Sequence, residues 1–239
     1  MDLICYLSNG YPSIESSIDV AKTYVEAGCD IIEIDFPSRN PYLEGDFIAN
    51  RMREALKACD DYEKYMEGMI KIKKSLPQTS FILLVYENTI KEIGVDKFIK
   101  FCVDNDFMDI ILCGLEDDKI KNAIIANKLR VSCYVQRKLD RTEILYAKES
   151  NGFVYLQAKT RDESEVNKTY PTLESCISYL REEGIERPIY CGVGIHTPED
   201  ALYAKKAEAD AIFVGSAILK VQEDKNKLIR IIKSFKQNC

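Results

Sequence analysis

The sequence predicts an α/β fold of the (β/α)8 TIM-barrel class, in one domain over residues 1–239. Short apolar runs of strand character alternate with helical patterns eight times, and the connections between them are short. Such alternation favours parallel strands joined by right-handed crossovers. Eight units in a chain of 239 residues match the usual size of this barrel. A doubly wound open sheet is the second choice, because it would more often have fewer strands.

The predicted elements follow from local pattern. Apolar and largely β-branched runs predict strands at 3–7, 30–36, 80–86, 108–113, 130–135, 152–158, 188–191 and 209–214. Apolar residues at helical spacing predict helices at 13–27, 47–58, 62–75, 95–103, 117–127, 142–149, 171–183, from 197 onward, at 216–221 and at 225–235. Ser13 is a suitable N-cap for the first helix, and Gly28 a suitable end. Pro171 is predicted to begin the helix at 171–183, and the polar segment 159–170 is predicted to be a lid.

Composition excludes several classes of protein. Hydrophobic residues make up 46% and charged residues 30%, which is typical of a soluble globular protein. The net charge is −6 and basic residues are scattered, so nucleic acid is not an expected partner. Neither a membrane span nor a signal-peptide head is found, which predicts a cytoplasmic protein. The nine cysteines form no C-x-x-C pair and only one histidine is present, so a metal site is not expected and the cysteines are interpreted as reduced packing residues.

Two carboxylates in and after the second strand are candidate catalytic groups. Glu33 lies inside an apolar strand, where an unpaired charge is costly and a raised pKa or a catalytic task is common. Glu44 follows on the next loop, and such a pair suits general acid–base chemistry. The alternative, with similar weight, is that Glu33 makes a structural hydrogen bond and Glu44 starts a helix.

Glycines at two consecutive strand ends predict a phosphate site. Cys191-Gly-Val-Gly-Ile-His-Thr-Pro198 follows the seventh strand, and Val214-Gly-Ser-Ala-Ile218 follows the eighth. Glycine lets backbone N–H groups approach an anion, and these two loops are the usual phosphate site of such barrels. His196 beside them is interpreted as a cap or surface residue. Tyr86 and Tyr155, at strand ends, either line a pocket or fill the barrel interior.

Along nearly its whole length the chain resembles the tryptophan synthase α-subunit family. The resemblance is carried, in order, by Tyr6-Leu-Ser-Asn-Gly-Tyr-Pro12, Asp30-Ile-Ile-Glu-Ile-Asp-Phe-Pro37, Val85-Tyr-Glu-Asn88, Gly192-Val-Gly-Ile195, Thr197-Pro-Glu199 and Gly215-Ser-Ala-Ile218. It implies a lyase of tryptophan biosynthesis that cleaves indole-3-glycerol phosphate to indole and glyceraldehyde 3-phosphate without a cofactor. It also implies a partner, the pyridoxal-phosphate β subunit.

Site residues are implied by the same resemblance. Glu33 matches the family's catalytic glutamate, Glu44 falls where the family has an aspartate that engages the indole N–H, and Tyr155 matches a tyrosine near the reacting carbons. Gly194, Gly215 and Ser216 match phosphate-binding positions. Tyr86 and Asn88 match positions beside the pocket.

The chain departs from the family at its loops. Glu44 is one methylene longer than the aspartate, Gly114 and Glu116 replace an aspartate and a proline, and the segment Thr160-Arg-Asp-Glu-Ser164 lacks the glycines of the family lid. The N-terminal helix that precedes the first strand in the family is absent from this sequence. Three hypotheses follow: a working lyase, a weak paralogue that acts as an allosteric or scaffolding partner of a β subunit, or a barrel repurposed for another phosphorylated substrate.

Overall fold

The computed structural model describes residues 1–114, 118–160 and 162–239. The strands of this part of the chain are β1 (Asp2–Leu7), β2 (Ile31–Asp35), β3 (Ser80–Tyr86), β4 (Asp109–Cys113), β5 (Arg130–Val131), β6 (Cys133–Val135), β7 (Val154–Gln157), β8 (Ile189–Gly192) and β9 (Ala211–Val214). Its helices are α1 (Ile14–Glu26), α2 (Asp46–Ala58), α3 (Tyr62–Ser75), α4 (Glu87–Ile93), α5 (Val95–Asp104), α6 (Lys119–Ala126), α7 (Arg141–Glu149), α8 (Leu173–Glu182), α9 (Pro198–Lys206), α10 (Ser216–Leu219) and α11 (Lys225–Asn238), with a 3-10 helix at Glu163–Glu165.

All strand pairings are parallel, and the sheet closes on itself. The strand order is β5-β4-β3-β2-β1-β9-β8-β7-β6, so the two edge strands are consecutive in sequence and separated by Ser132 alone. The backbone N–H of Ser132 donates to Ile110 on one side at 2.9 Å, and that of Cys133 donates to Phe153 on the other at 3.1 Å. The predicted fifth strand at 130–135 therefore serves both neighbours, and the TIM-barrel prediction is confirmed.

Strand alternation divides the core into two layers. Ile32, Ile34 and Phe36 of the second-strand region point outward and pack against the helices. Ile31 belongs to a separate interior cluster that includes Tyr6 of β1. Period-2 alternation therefore places Glu33 on the same side as Ile31, inside the barrel.

Capping residues explain where several helices begin or end, and one predicted helix start has to be corrected. Ser13 caps α1 by accepting a hydrogen bond from Ser16 N at 3.1 Å, and Gly28 follows the helix with a φ of +104°. Pro171 does not begin a helix: α8 starts at Leu173 behind Thr172, whose side chain forms a capping box with Ser175. The prediction was wrong because a reciprocal hydroxyl cap satisfies the first N–H groups better than proline can.

Two further differences concern helices near strand ends. The short α4 directly after β3 was not predicted, because its seven residues are too few for a clear helical period. The predicted helix at 117–127 is shorter, Lys119–Ala126, and its predicted first residue, Asp117, lies outside the described residues together with Glu116.

All nine cysteines are free thiols, and those in β1 and β8, Cys5 and Cys191, are fully buried. Within the described ranges, no helix combines the length and apolar character needed to cross a bilayer.

Candidate active site

Three carboxyl groups lie at the C-terminal end of β2. Glu33 and Asp35 both face the barrel interior, two residues apart, and Glu44 stands on the loop that joins β2 to α2. Electrostatic interaction couples each of them to the others, which places all three around one end of the barrel. This is the end at which barrels of this class carry their chemistry.

Glu33 has the environment of a general acid. It is 5% exposed and lies between Tyr6 of β1 and Ile82 of β3 in the sheet register. Among the described residues none donates a hydrogen bond to its carboxyl group. Burial raises the pKa of Glu33 well above its usual value, and the charges of Glu44 and Asp35 raise it further. The carboxyl group therefore keeps its proton at a pH where an exposed glutamate has lost it.

Glu44 is held by a tyrosine from the neighbouring strand. The Tyr86 hydroxyl, at the end of β3, interacts with the Glu44 carboxylate and accepts a hydrogen bond from Leu43 N at 3.2 Å. Burial raises the pKa of Glu44, and the hydrogen bond from Tyr86 partly offsets that rise. Tyr86 is fully buried, so it anchors the loop that carries Glu44.

Asn88 anchors the same loop at a second point. Its side-chain nitrogen donates to Ser38 Oγ at 3.1 Å, and the Ser38 hydroxyl lies 3.3 Å from the Asn88 carbonyl oxygen. In this arrangement the amide serves the loop between β2 and α2. The role of Asn88 in a substrate pocket stays a prediction.

Tyr155 lies inside the barrel and faces Glu33. Its ring stacks on Phe213 with centroids 4.4 Å apart and meets Tyr134 edge-on at 5.6 Å. Burial raises the pKa of Tyr155, and the charge of Glu33 is the next largest cause. A Cβ atom at Gly192 would stand 2.1 Å from the Tyr155 hydroxyl, so the glycine makes room for the phenol.

The two glycine loops lie on adjacent strands, β8 and β9. Gly194 has a φ of +99°, and a Cβ atom there would stand 2.6 Å from Lys159 Cβ, so two independent constraints select glycine. Gly215 precedes α10, which begins at Ser216, and a Cβ atom at Gly215 would make only an ordinary contact of 3.7 Å with Tyr6. The backbone N–H groups at such a helix start are the kind that bind anions.

Sequence reasoning missed two residues of the site, Asp35 and Tyr6. Tyr6 Oη donates to Asp35 Oδ2 at 2.5 Å, and Asn9 N donates to Asp35 Oδ1 at 2.6 Å. Burial raises the pKa of Asp35 to about 7, although both hydrogen bonds act to lower it. Period-2 alternation was the available signal, since it puts Asp35 on the same face as Glu33.

The segment beyond β7 is fastened at both ends by one buried arginine. Arg137 donates to the Ala158 carbonyl at 2.9 Å and to the Pro171 carbonyl at 2.6 Å. Between these points, the Thr160 hydroxyl donates to the carboxylate of Glu165, the last residue of the 3-10 helix, at 2.6 Å. Arg161, within the predicted lid, lies outside the described residues.

These groups together support proton transfer on a phosphorylated substrate. The barrel end offers a buried carboxyl group with a raised pKa, a second carboxyl group on an anchored loop and two glycine turns. Among the described residues no cluster of three or more histidine, cysteine or acidic side chains is arranged to hold a metal ion.

Comparison with known proteins identifies relatives along the full chain. The family described as "Tryptophan synthase alpha chain" matches residues 1–239. The tryptophan synthase alpha chain of Leptospira biflexa is 28% identical over 233 residues, covering 92% of this chain and 85% of that one. The protein of the same name from Aquifex aeolicus is 27% identical over 243 residues, covering 97% and 91%.

Solved structures agree with the sequence comparison. A structure from Aquifex aeolicus VF5 superposes with a TM-score of 0.87 at 26% identity, covering 99% of this chain and 92% of that one. Tryptophan synthase from M. tuberculosis, in an aminoacrylate-bound form, superposes with a TM-score of 0.83 at 22% identity, covering 99% and 92%, and supports the fold alone.

Proposed function

The chain belongs to the tryptophan synthase alpha chain family, and from that premise we propose that it is a carbon–carbon lyase of tryptophan biosynthesis. It cleaves indole-3-glycerol phosphate by a retro-aldol reaction to indole and glyceraldehyde 3-phosphate. The observation that carries this proposal is Glu33, a buried carboxyl group with a raised pKa in the same barrel mouth as the two glycine turns.

Glu33 and Glu44 divide the proton transfers in the proposed mechanism. Glu33 gives its proton to the ring carbon that bears the side chain, while Glu44 takes the hydrogen from the ring nitrogen. Glu33, now a carboxylate, then removes the proton of the adjacent hydroxyl as the carbon–carbon bond breaks and its electron pair returns to the ring. The nitrogen regains its hydrogen from Glu44, so both carboxyl groups end as they began.

The remaining site residues bind and orient the substrate. Gly194, Gly215 and Ser216 hold the phosphate through backbone N–H groups and a hydroxyl. Tyr155 lies against the reacting carbons, and Tyr86 keeps Glu44 in place. This leaves the indole ring between the β2 and β7 sides of the barrel mouth.

We further propose a tryptophan synthase β subunit as the partner that receives the indole. The solved relatives include whole tryptophan synthase, which supports such a complex. A cytoplasmic location is part of the same proposal, and nine free thiols fit a reducing compartment.

Indole release from indole-3-glycerol phosphate, with and without a β subunit, tests the proposal. Glu33→Gln should lower turnover by about 10²–10⁴-fold, the usual contribution of a positioned acid. Glu67→Gln is the matched control, because Glu67 is exposed on the outer face of α3. Negligible indole release by the unmodified chain in both conditions would contradict the lyase activity. A β subunit that is stimulated equally by the chain and by Glu33→Gln would then point to the scaffolding role.

A further inference from the structure

The substrate must cross the end of β1 to reach both halves of the proposed site. The carboxyl groups stand on β2, and the glycine turns follow β8 and β9. In the sheet, β1 lies between β2 and β9. On the proposed function, the three-carbon chain that joins the indole ring to the phosphate therefore passes over the residues at the C-terminal end of β1.

Tyr6 is the side chain at that crossing. It lies opposite Glu33 in the register of β1 and β2. On its other side, its Cβ is the atom nearest to the position that a Cβ at Gly215 would take, at 3.7 Å. Tyr6 thus borders both the acid and the phosphate turn.

The hydroxyl hydrogen of Tyr6 is already used in a hydrogen bond. Tyr6 Oη donates to Asp35 Oδ2 at 2.5 Å, a short distance typical of a bond to a charged acceptor. A phenol has only one hydrogen to donate, so the free lone pairs of this oxygen can only accept. The group is therefore set to receive a hydrogen bond from a hydroxyl rather than to give one.

Asp35 is itself held from several elements. The N–H of Asn9, on the loop after β1, donates to its other oxygen at 2.6 Å. The buried Arg51 of α2 lies over the Tyr11 ring at 3.8 Å, donates to Gln222 at 2.5 Å and adds positive charge near Asp35. Glu33 and Glu44 are the nearby acids. Among the described residues, the buried side-chain amide of Asn9 has no partner, so this barrel end has spare hydrogen-bonding capacity.

We propose that Tyr6 and Asp35 are a positioning and specificity pair for the hydroxyl-bearing chain of the substrate. Tyr6 Oη accepts a hydrogen bond from the hydroxyl on the middle carbon of that chain, and Asp35 keeps the phenol oriented for it. The hydroxyl next to the bond that breaks keeps its hydrogen for Glu33. The pair thereby orients the chain and distinguishes a glycerol chain from a deoxygenated one.

Two ligands separate this role from a structural one. Binding of indole-3-glycerol phosphate and of its deoxy analogue, indole-3-propanol phosphate, is measured by calorimetry in a Glu33→Gln background, where substrate is not consumed. Adding Tyr6→Phe should lower the preference for the hydroxylated ligand by about tenfold, the size of one hydrogen bond. Asp35→Asn should lower it in the same direction, because an amide holds the phenol less firmly than a carboxylate.

Tyr24→Phe provides the matched control. Tyr24 is equally buried and its hydroxyl donates to the Tyr6 carbonyl at 3.1 Å, but the ring belongs to the outer layer of the core. Loss of the Tyr24 hydroxyl should weaken the binding of both ligands equally or of neither. Binding of inorganic phosphate reports whether each variant still folds with an intact phosphate turn.

The outcomes distinguish this proposal from the proposed function. An unchanged ligand preference in Tyr6→Phe, with phosphate binding retained, would overturn the role of the pair while leaving the lyase activity untouched. An equal loss of affinity for both ligands would assign Tyr6 a structural role and would also overturn the proposal. If the unmodified chain released no indole and bound neither ligand, the proposed function itself would fall.

Discussion

The two halves of the barrel mouth are built on different principles. On the β2 side, the proposed function depends on side chains: Glu33, Asp35 and Glu44 are carboxyl groups whose pKa values burial raises. On the β8 and β9 side, it depends on the absence of side chains at Gly194 and Gly215. The first half is therefore sensitive to charge and pH, and the second to backbone angle and space.

The contrast predicts which kind of substitution damages each half. A change of one functional group should impair the acid half without changing phosphate affinity. A single added methyl group should impair the phosphate half without changing the titration of the acids.

The largest expected effect is on the pH dependence of the free energy of unfolding, and it arises from the acid half. The pKa of Asp35 in the folded state is about 7, above its usual value of 3.8, so the folded state holds a proton that the unfolded state has released between these values. Stability therefore falls as pH rises from about 4 to about 7, by a few kcal/mol at most, and stays lower above pH 7. Glu33 acts in the same direction.

Denaturant unfolding of Asp35→Asn across this pH range measures the effect. The variant should show a flatter dependence than the unmodified chain, because its amide does not titrate. Asp19→Asn, an exposed change on α1, should leave the dependence unaltered. Parallel curves for Asp35→Asn and the unmodified chain would refute the raised pKa of Asp35.

The next effect separates the two glycines of the phosphate half. Gly194→Ala should lower affinity for glyceraldehyde 3-phosphate by about a hundredfold, since displacement of a binding group by about 1 Å has effects of this size. It should also lower stability, because Gly194 has a positive φ and its Cβ would meet Lys159. Gly215→Ala should lower affinity with a smaller loss of stability, since the nearest contact of its Cβ, with Tyr6, is an ordinary one. Calorimetric binding and thermal unfolding check both, and equal stability loss in the two variants would contradict the distinction.

A smaller effect is expected at Tyr86. Tyr86→Phe removes the hydrogen bond that lowers the pKa of Glu44, so that pKa should rise. Because the proposed mechanism uses Glu44 as a carboxylate, the acid limb of the pH–rate profile should move to higher pH, with turnover reduced by about tenfold. A limb that stays in place would show that Glu44 does not titrate in the reaction.

Continuous apolar runs carried most of what the sequence could predict. They located the barrel strands and marked Glu33 as a carboxyl group inside a buried strand, because a barrel buries both faces of every strand. Asp35 was missed although it lies within the predicted strand at 30–36, where period-2 alternation puts it on the same face as Glu33. The split of the strand at 130–135 depends on its two neighbours, β4 and β7, which are remote in sequence.

The contacts of the loops are harder to predict from the sequence, because their partners are also remote in the chain. Tyr86 and Asn88 were predicted beside the pocket, and what the structure shows is that both hold the loop between β2 and α2 by hydrogen bonds. Partners so distant in sequence have no local signature. The sequence predicts Gly192 only as part of the phosphate motif. The space that Gly192 leaves for Tyr155 arises from the pairing of β7 with β8.

The independence of the two halves is tested most directly in the Glu33→Gln variant. Its indole release and its dissociation constant for glyceraldehyde 3-phosphate are measured on the same preparation. The account predicts that turnover falls by at least about a hundredfold, while the dissociation constant stays within about twofold of the unmodified value, below the usual size of one lost hydrogen bond. Turnover that survives, or a dissociation constant that rises in proportion to the loss of turnover, would contradict the division of the site into a side-chain half and a backbone half.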